Sequence, residues 1–365
     1  MGDHQSQTGV SPTQPASPTL LPERPPRIEW FWQSNADPWS SESAEWCAYS
    51  DVDTAIIEEA FQQKLPDVLL DDFTISFKHL VQISNDDQLK QRPMKRVVST
   101  ETSKIRDARF MQSPVNPSAP FGHANLGDFR RKAHYHFKLP GFAYTHENNS
   151  LQNPANRRRM VEKAAEGIII EGNKAGKRRQ GEWFAQQLLN VIDGTAVEVW
   201  RVCARLYTMQ SFLFEKLNEC MRLEGDEEHE QLWKSKVPTF GPFSLLLYYL
   251  GEYTDEKLTV YRGCHLNDNL IQQYREKLAT EPNTAIVFPA FTSTSRNRNT
   301  AEQFGNVLFT IEIDRYYDGC DVSPYSNFNE EEILLAPYFM FYIQSCNFNE
   351  VDDKWIIHLR SDRIQ

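Results

Sequence analysis

Three short runs in the second half of this 365-residue chain carry side chains suited to one kind of chemistry. The first, Val260-Tyr261-Arg262-Gly263, sets an arginine at a strand end beside a glycine. A guanidinium offers a rigid fork of donors to phosphate or ribose oxygens, and a glycine lets a ligand come close to the backbone. The second, Phe291-Thr292-Ser293-Thr294-Ser295, is a dense run of hydroxyls, one of which can hydrogen-bond a carboxylate and fix its rotamer. The third, Tyr325 to Pro337, contains Glu330-Glu331-Glu332 directly before Ile333-Leu334-Leu335. Acidic runs are usually solvated, but this one abuts an apolar strand. A period of two along that strand puts Glu330 and Glu332 on one face and Glu331 on the other. Singly, each run also suits a surface turn, an edge strand or a solvated patch. In this order, they describe one site with an anion-holding arginine, an orienting hydroxyl and paired carboxylates.

The elements that must position them follow from periodicity. From about 181 to 250 the apolar residues recur at helical spacing, through Trp183, Phe184, Leu188, Leu206, Phe212, Leu217 and Met221 to the segment Phe243–Leu250. After Leu258 the pattern changes to short β-like runs at 258–262, 285–288, 307–313, 332–335 and 355–359. A helical lobe followed by a sheet-rich lobe is therefore expected. Ahead of them, Ile28-Glu29-Trp30-Phe31-Trp32 alternates like a strand, and Asp53 reads as the N-cap of a helix over 54–64. Phe73–Phe77 and Arg92–Val97 read as further strands, which gives a small β-α-β unit over 27–98. Residues 1–26 are rich in Pro, Ser, Gln and Thr and are expected to be disordered. Residues 99–160, with Pro114, Pro117, Pro120, Pro140 and Pro154, are expected to be a linker in which 137–142 docks, leaving 161–365 as the second domain. The basic tract of Arg157-Arg158-Arg159 and 174–179 reads as a solvated helix face, ahead of a localisation or phosphate-binding role.

Over roughly 180–345 the chain resembles the R-S-E class of arginine-type mono-ADP-ribosyltransferases, including Leu206-Tyr207-Thr208-Met209-Gln210-Ser211 and Leu217-Asn218, which look like the family's helical approach to NAD. The resemblance implies an α+β chain whose transferase fold has a helical lobe and two packed β-sheets forming an NAD cleft. It implies that Arg262, with Gly263 beside it, binds NAD, and that Ser293 orients both Glu332 and the nicotinamide ribose. Phe304 resembles the aromatic that packs on nicotinamide. Glu332 would stabilise the oxocarbenium-like ribose as the glycosidic bond breaks, and Glu330 would take the acceptor guanidinium and its proton. Ala336-Pro337 stands where the family often has Pro-Pro. NAD is then a substrate, no metal is implied, and the acceptor is an exposed protein arginine. Two other readings stay open: a predominant NAD glycohydrolase, and an inactive transferase fold acting as a reader or adaptor. The intact Arg262, Ser293 and Glu332 set favours activity.

The unit at 27–98 resembles a WWE domain through Trp30 or Trp32, Trp46 with Tyr49, Glu58-Glu59-Ala60, Leu80-Val81-Gln82 and Arg92-Pro93-Met94-Lys95-Arg96. In members that bind ADP-ribose units, Trp46, Gln82 and Arg92 would contact the ligand, so poly(ADP-ribose) or ADP-ribosylated proteins become expected partners. Phe73 replaces a frequent tyrosine, and the turn between Trp32 and Trp46 is longer and lacks arginine.

Composition narrows the class further. A formal net charge of −11 argues against bulk phosphate-backbone binding, so no direct nucleic-acid partner is expected. No apolar run is long enough to span a membrane. Six cysteines scattered without paired spacing, and a polar start without an apolar core, point to a reducing cytoplasmic or nuclear setting.

Overall fold

Alternation of large aromatics with polar residues commits the first ordered segment to a strand, and its inward face seeds a small sheet. In the computed structural model, which describes residues 27–99, 121–123, 128–140, 149–251, 257–313, 319–326, 328 and 330–361, that sheet has six strands. The elements are β1 (Arg27–Gln33), β2 (Trp46–Ala48), α1 (Asp51–Gln62), β3 (Asp67–Leu69), β4 (Phe73–Ser76), β5 (Val81–Ser84) and β6 (Gln91–Ser99). The strands run in the order β2-β1-β6-β5-β4-β3, all antiparallel. Trp30, on the inner face of β1, is fully buried in a core shared with Ile56 and Ile57 of α1. Its indole donates to Glu58 at 3.0 Å, and Glu58 also accepts two bonds from Arg96 at 2.9 and 2.8 Å. The cap of α1 is Ser50, whose hydroxyl accepts from the Asp53 amide; Asp53 therefore lies in the first turn rather than at the cap. The disorder expected for 1–26 and the linker prolines Pro114, Pro117 and Pro120 fall outside the described residues, as does the 141–142 end of the docking segment.

The second half opens with β7 (Gly122–His123), α2 (Asp128–His136), α3 (Pro154–Lys174), α4 (Arg178–Leu189), α5 (Ala196–Thr208), α6 (Phe212–Arg222) and α7 (Glu230–Tyr249). The linker expected through 160 is thus too long. Phe129, Ala133, Leu139, Leu151 and Met160 are buried in the core of the helical lobe. Pro154 misled because proline marks loops but is equally at home in the first helical turn, where its missing N–H is not needed. Asn153 caps that turn, accepting from the amides of Ala155 and Asn156 at 2.9 and 3.3 Å. The basic tract is likewise more than a solvated face. Arg157 is buried and donates to the carbonyls of Leu151, Gln152 and Gly194, whereas Arg158 and Arg178 make exposed ion pairs.

The sheet lobe contains β8 (Leu258–Cys264), α8 (Asp268–Thr280), β9 (Ile286–Phe288), β10 (Thr292–Ser295), α9 (Arg298–Glu302), β11 (Val307–Ile313), β12 (Gly319–Asp321), β13 (Glu332–Leu335), β14 (Phe339–Asn349) and β15 (Lys354–Arg360). Hydrogen-bonded neighbours follow the order β12-β13-β10-β8-β11-β15-β14-β9-β7. The two expected sheets are joined through β14, whose residues 339–341 pair with β9 and whose residues 342–349 pair with β15. The curl encloses one apolar cluster around Phe309, Phe339 and Phe341. Phe291, Leu334 and Ala336 belong to the other cluster, which runs through the helical lobe into the N-terminal sheet. All four residues of β13 are buried because it lies between the two clusters.

The Glu58 cluster gives the N-terminal sheet a measurable pH dependence. Burial pushes the Glu58 carboxyl up, but the bonds from Arg96, Gln62 and Trp30 outweigh it and hold the group below its ordinary value. A carboxylate held low stabilises the fold above its unfolded pKa, and that stabilisation is lost as pH falls through the folded value. Glu58→Gln should cost about 1–3 kcal/mol near neutral pH in chemical denaturation and flatten the loss of stability on the acid side below pH 4.5. An acid limb as steep as that of the wild type would show that Glu58 is not its source.

Candidate active site

The cleft is built on three neighbouring strands, β13, β10 and β8, each of which carries one of the sequence motifs. Alternating hydroxyls and β-branched residues make β10 a short strand that pairs antiparallel with β13, with Ser293 opposite Leu334 and Ser295 opposite Glu332. Residues opposite one another share a face, so Ser293, Ser295, Glu332 and Leu334 point the same way. Leu334 belongs to the apolar cluster of the helical lobe, and Ile333 to that of the sheet lobe. The Ser293–Glu332 face is therefore turned toward the helices. On the other side, β8 and β10 pair at one position, Tyr261 opposite Ser295. Arg262 spans this seam, donating from Nη1 to the Ser293 carbonyl at 2.7 Å.

Glu330 and Glu332 are both almost fully buried, while Glu331 is exposed. That is the expected division, but strand alternation is not its cause. β13 begins only at Glu332, and Glu331 has a left-handed backbone with φ 46°. Such a conformation is uncommon outside glycine and is held here from outside. The Arg296 amide donates to the Glu331 carbonyl at 3.0 Å, and the Asn297 amide side chain donates to its carboxylate at 3.2 Å. Ser295 Oγ donates to the Glu330 carbonyl at 2.7 Å, and Ser323 Oγ to the Glu332 carbonyl at 3.2 Å. The turn is thus fastened to β10 through its backbone carbonyls.

The hydrogen bond expected from Ser293 to Glu332 is not formed: among the described residues, the buried Ser293 Oγ has no hydrogen-bond partner. An unsatisfied buried hydroxyl is costly, so a ligand that supplies a partner gains at this position. Gly263 departs from its expected role as well. A Cβ there would come within 1.9 Å of the Ala301 carbonyl and 3.0 Å of Phe304 Cβ. The space that glycine leaves is filled by the end of α9 and Phe304 beyond it, so its use is to seat this segment against β8 rather than to admit a ligand directly. Phe304 is buried at this contact.

The helical lobe adds a residue that sequence reasoning passed over. Arg222, half-buried at the end of α6, has its pKa brought down to about 10, by desolvation first and then by the positive charge of Arg262. The positive charge of Arg262 is therefore felt at Arg222. The signal was available: an arginine within the apolar stripe of Leu217, Met221 and Leu223, four residues after Asn218. Asn218 itself donates to Tyr207 Oη at 2.9 Å, and the Tyr207 ring packs 5.4 Å from Phe291, the residue leading into β10. This contact joins α5 and α6 to the strand carrying Ser293.

In the N-terminal sheet, the three residues proposed for ADP-ribose are not brought together. Gln82 and Arg92 are cross-strand neighbours on the face covered by α1. Tyr49 Oη donates to Gln82 at 2.7 Å, and Arg92 donates to the carbonyls of Gln33 and Asn35 at 3.0 and 2.6 Å while lying over Trp32. Trp46 pairs with Gln33 on the opposite face, with Lys95 4.2 Å above its ring.

Comparison with known proteins bears on both halves. The family model described as NAD:arginine ADP-ribosyltransferase matches residues 133–364, and that of the WWE domain matches 28–96. A search of curated proteins finds no match. Among solved structures, the ADP-ribosyltransferase HopU1 of Pseudomonas syringae is similar at 19% identity, covering 65% of this chain and 98% of that one with a TM-score of 0.38. Exoenzyme S from Pseudomonas aeruginosa, in a complex with human 14-3-3 protein beta bound to carba-NAD, is similar at 18% identity, covering 56% and 88% with a TM-score of 0.37. The type III effector XopAI from Xanthomonas axonopodis is similar at 15% identity, covering 65% and 99% with a TM-score of 0.42. With the arginine, hydroxyl and glutamate motifs on adjacent strands and a family model spanning most of the chain, the protein belongs to the NAD:arginine ADP-ribosyltransferase family and carries a WWE domain ahead of its transferase domain.

Proposed function

We propose that the chain is a mono-ADP-ribosyltransferase that moves ADP-ribose from NAD to the guanidinium of a protein arginine. The observation that carries this reading is the placement of Arg262, Ser293 and Glu332 on the neighbouring strands β8, β10 and β13. Arg262 and Arg222 together suit the pyrophosphate, and the unsatisfied Ser293 hydroxyl suits a ribose or carboxamide oxygen. As the bond between C1′ of the ribose and nicotinamide breaks, nicotinamide leaves with the bonding electrons and positive charge develops on the ribose. Glu332 stabilises that charge through the 2′-hydroxyl. A guanidine nitrogen then bonds to C1′, and Glu330 takes the proton that the acceptor releases. Glu330 suits the task because a carboxylate and a guanidinium match as two-pronged partners. With water in place of guanidine, the same cleft performs NAD hydrolysis.

The six cysteines are unpaired thiols, which supports a reducing intracellular setting. Recognition of poly(ADP-ribose) by the WWE domain draws less support, since Gln82 and Arg92 are already engaged internally and Trp46 lies on the other face. Binding by the intact chain would show as a shift in a titration with ADP-ribose oligomers.

Transition-state contacts and ground-state contacts separate in the kinetics. Glu332→Ala should lower both nicotinamide release and transfer to agmatine by about a hundredfold or more. Glu330→Gln should lose transfer by about tenfold or more while keeping most NAD hydrolysis. Full transfer by the Glu330 variant would remove it from the acceptor role. Arg222→Ala should raise KM for NAD by about tenfold with a smaller change in kcat, and an unchanged KM would exclude it from the anion site.

A further inference from the structure

The WWE domain reaches the acceptor side of the cleft itself. One apolar cluster runs from Trp30 and Ile57 into the helical lobe. Polar ties reinforce it: the Arg179 amide donates to Asp71 at 2.7 Å, Gln180 donates to Asp53 at 3.1 Å, and the Trp183 indole donates to Glu59 at 2.8 Å. At the end nearest the catalytic strands, Asp51 accepts from the Gln210 amide at 2.8 Å, in the turn between α5 and α6. The other oxygen of Asp51 lies 3.8 Å from Arg27, which is also 3.5 Å from Glu29. The Arg27 guanidinium, so held, lies 4.2 Å from the centre of the Phe328 ring.

Phe328 is buried and stands two residues ahead of Glu330. The Glu330 end of this loop is fastened to β10 by Ser295 Oγ, which donates to the Glu330 carbonyl. The left-handed Glu331 means that its geometry is one the chain does not keep unaided. A flat cation stacked on an aromatic ring supplies a hold that is directional and independent of the sheet.

We propose that Arg27 is a positioning residue for the acceptor step: by stacking on Phe328 it fixes the loop that carries Glu330, so that the WWE domain sets the partition between an acceptor guanidinium and water. This rests on the acceptor role given to Glu330 above. The test uses the full chain and the variants Arg27→Ala and Arg27→Lys, with NAD and agmatine. Arg27→Ala should lower transfer by about tenfold while KM for NAD and the hydrolysis rate stay within about twofold, and Arg27→Lys should recover part of the loss by restoring the cation. In hydrogen exchange, the segment 322–331 should exchange faster in Arg27→Ala, and the segments 332–335 and 258–264 should not. Equal loss of transfer and hydrolysis, or an unchanged ratio, overturns the proposal, as does unchanged exchange at 322–331. If Arg27→Ala fails to fold, Phe328→Leu removes the same stack from the catalytic side and is read by the same ratio. A wild-type chain that cleaves NAD without transfer overturns the acceptor reading itself, and the exchange measurement then still decides whether Arg27 holds the loop.

Discussion

The cleft depends on one pairing: β10 against β13, with Ser295 opposite Glu332. A slip of one residue would turn Glu332 from the helical lobe toward the apolar cluster of the sheet lobe and bring Ile333 out in its place. Such a slip would bury a carboxylate among hydrocarbon, so the apolar pattern of Ile333, Leu334 and Leu335 enforces the register that chemistry needs. The hydroxyls of β10 reinforce it, since Thr294 donates to the Ile333 carbonyl and Ser295 to that of Glu330, each at 2.7 Å. Thus the residues between the catalytic ones act as fasteners.

From that pairing the rest of the site follows by adjacency. β8 comes next to β10 and brings Arg262 to the Ser293 carbonyl. Gly263 allows the segment after α9 to close over β8 and seat Phe304. Tyr207 packs on Phe291 just ahead of β10 and accepts from Asn218, which ties α5 and α6 to the strand carrying Ser293. What results is three adjacent strands carrying an arginine, a buried hydroxyl and, at the start of the third, two buried carboxylates.

The motif residues were legible because their spacing along strands carries their geometry. Arg262, Ser293 and Glu332 could be assigned to one site from order alone, and the exposure of Glu331 between two buried neighbours was anticipated. The cause was not, because a left-handed turn residue leaves no mark in a run of three glutamates. Arg222 shows in the sequence only as an arginine within an apolar helical stripe, some forty positions from the strand motifs, and its electrostatic link to Arg262 emerges on folding. The early helices were hidden by prolines, which mark loops and helix starts alike. In the WWE domain, sequence resemblance placed Trp46, Gln82 and Arg92 together, but strand alternation assigns them to opposite faces. The contact between Arg27 and Phe328 had no sequence signal at all, because it crosses from the first strand to the catalytic loop.

Mass analysis of the products that the wild-type chain forms from NAD and agmatine decides whether ADP-ribose is joined to a guanidinium. An ADP-ribosyl-agmatine adduct is expected, together with an equal amount of nicotinamide. Nicotinamide release with free ADP-ribose and no adduct, or no cleavage of NAD, would rule that transfer out.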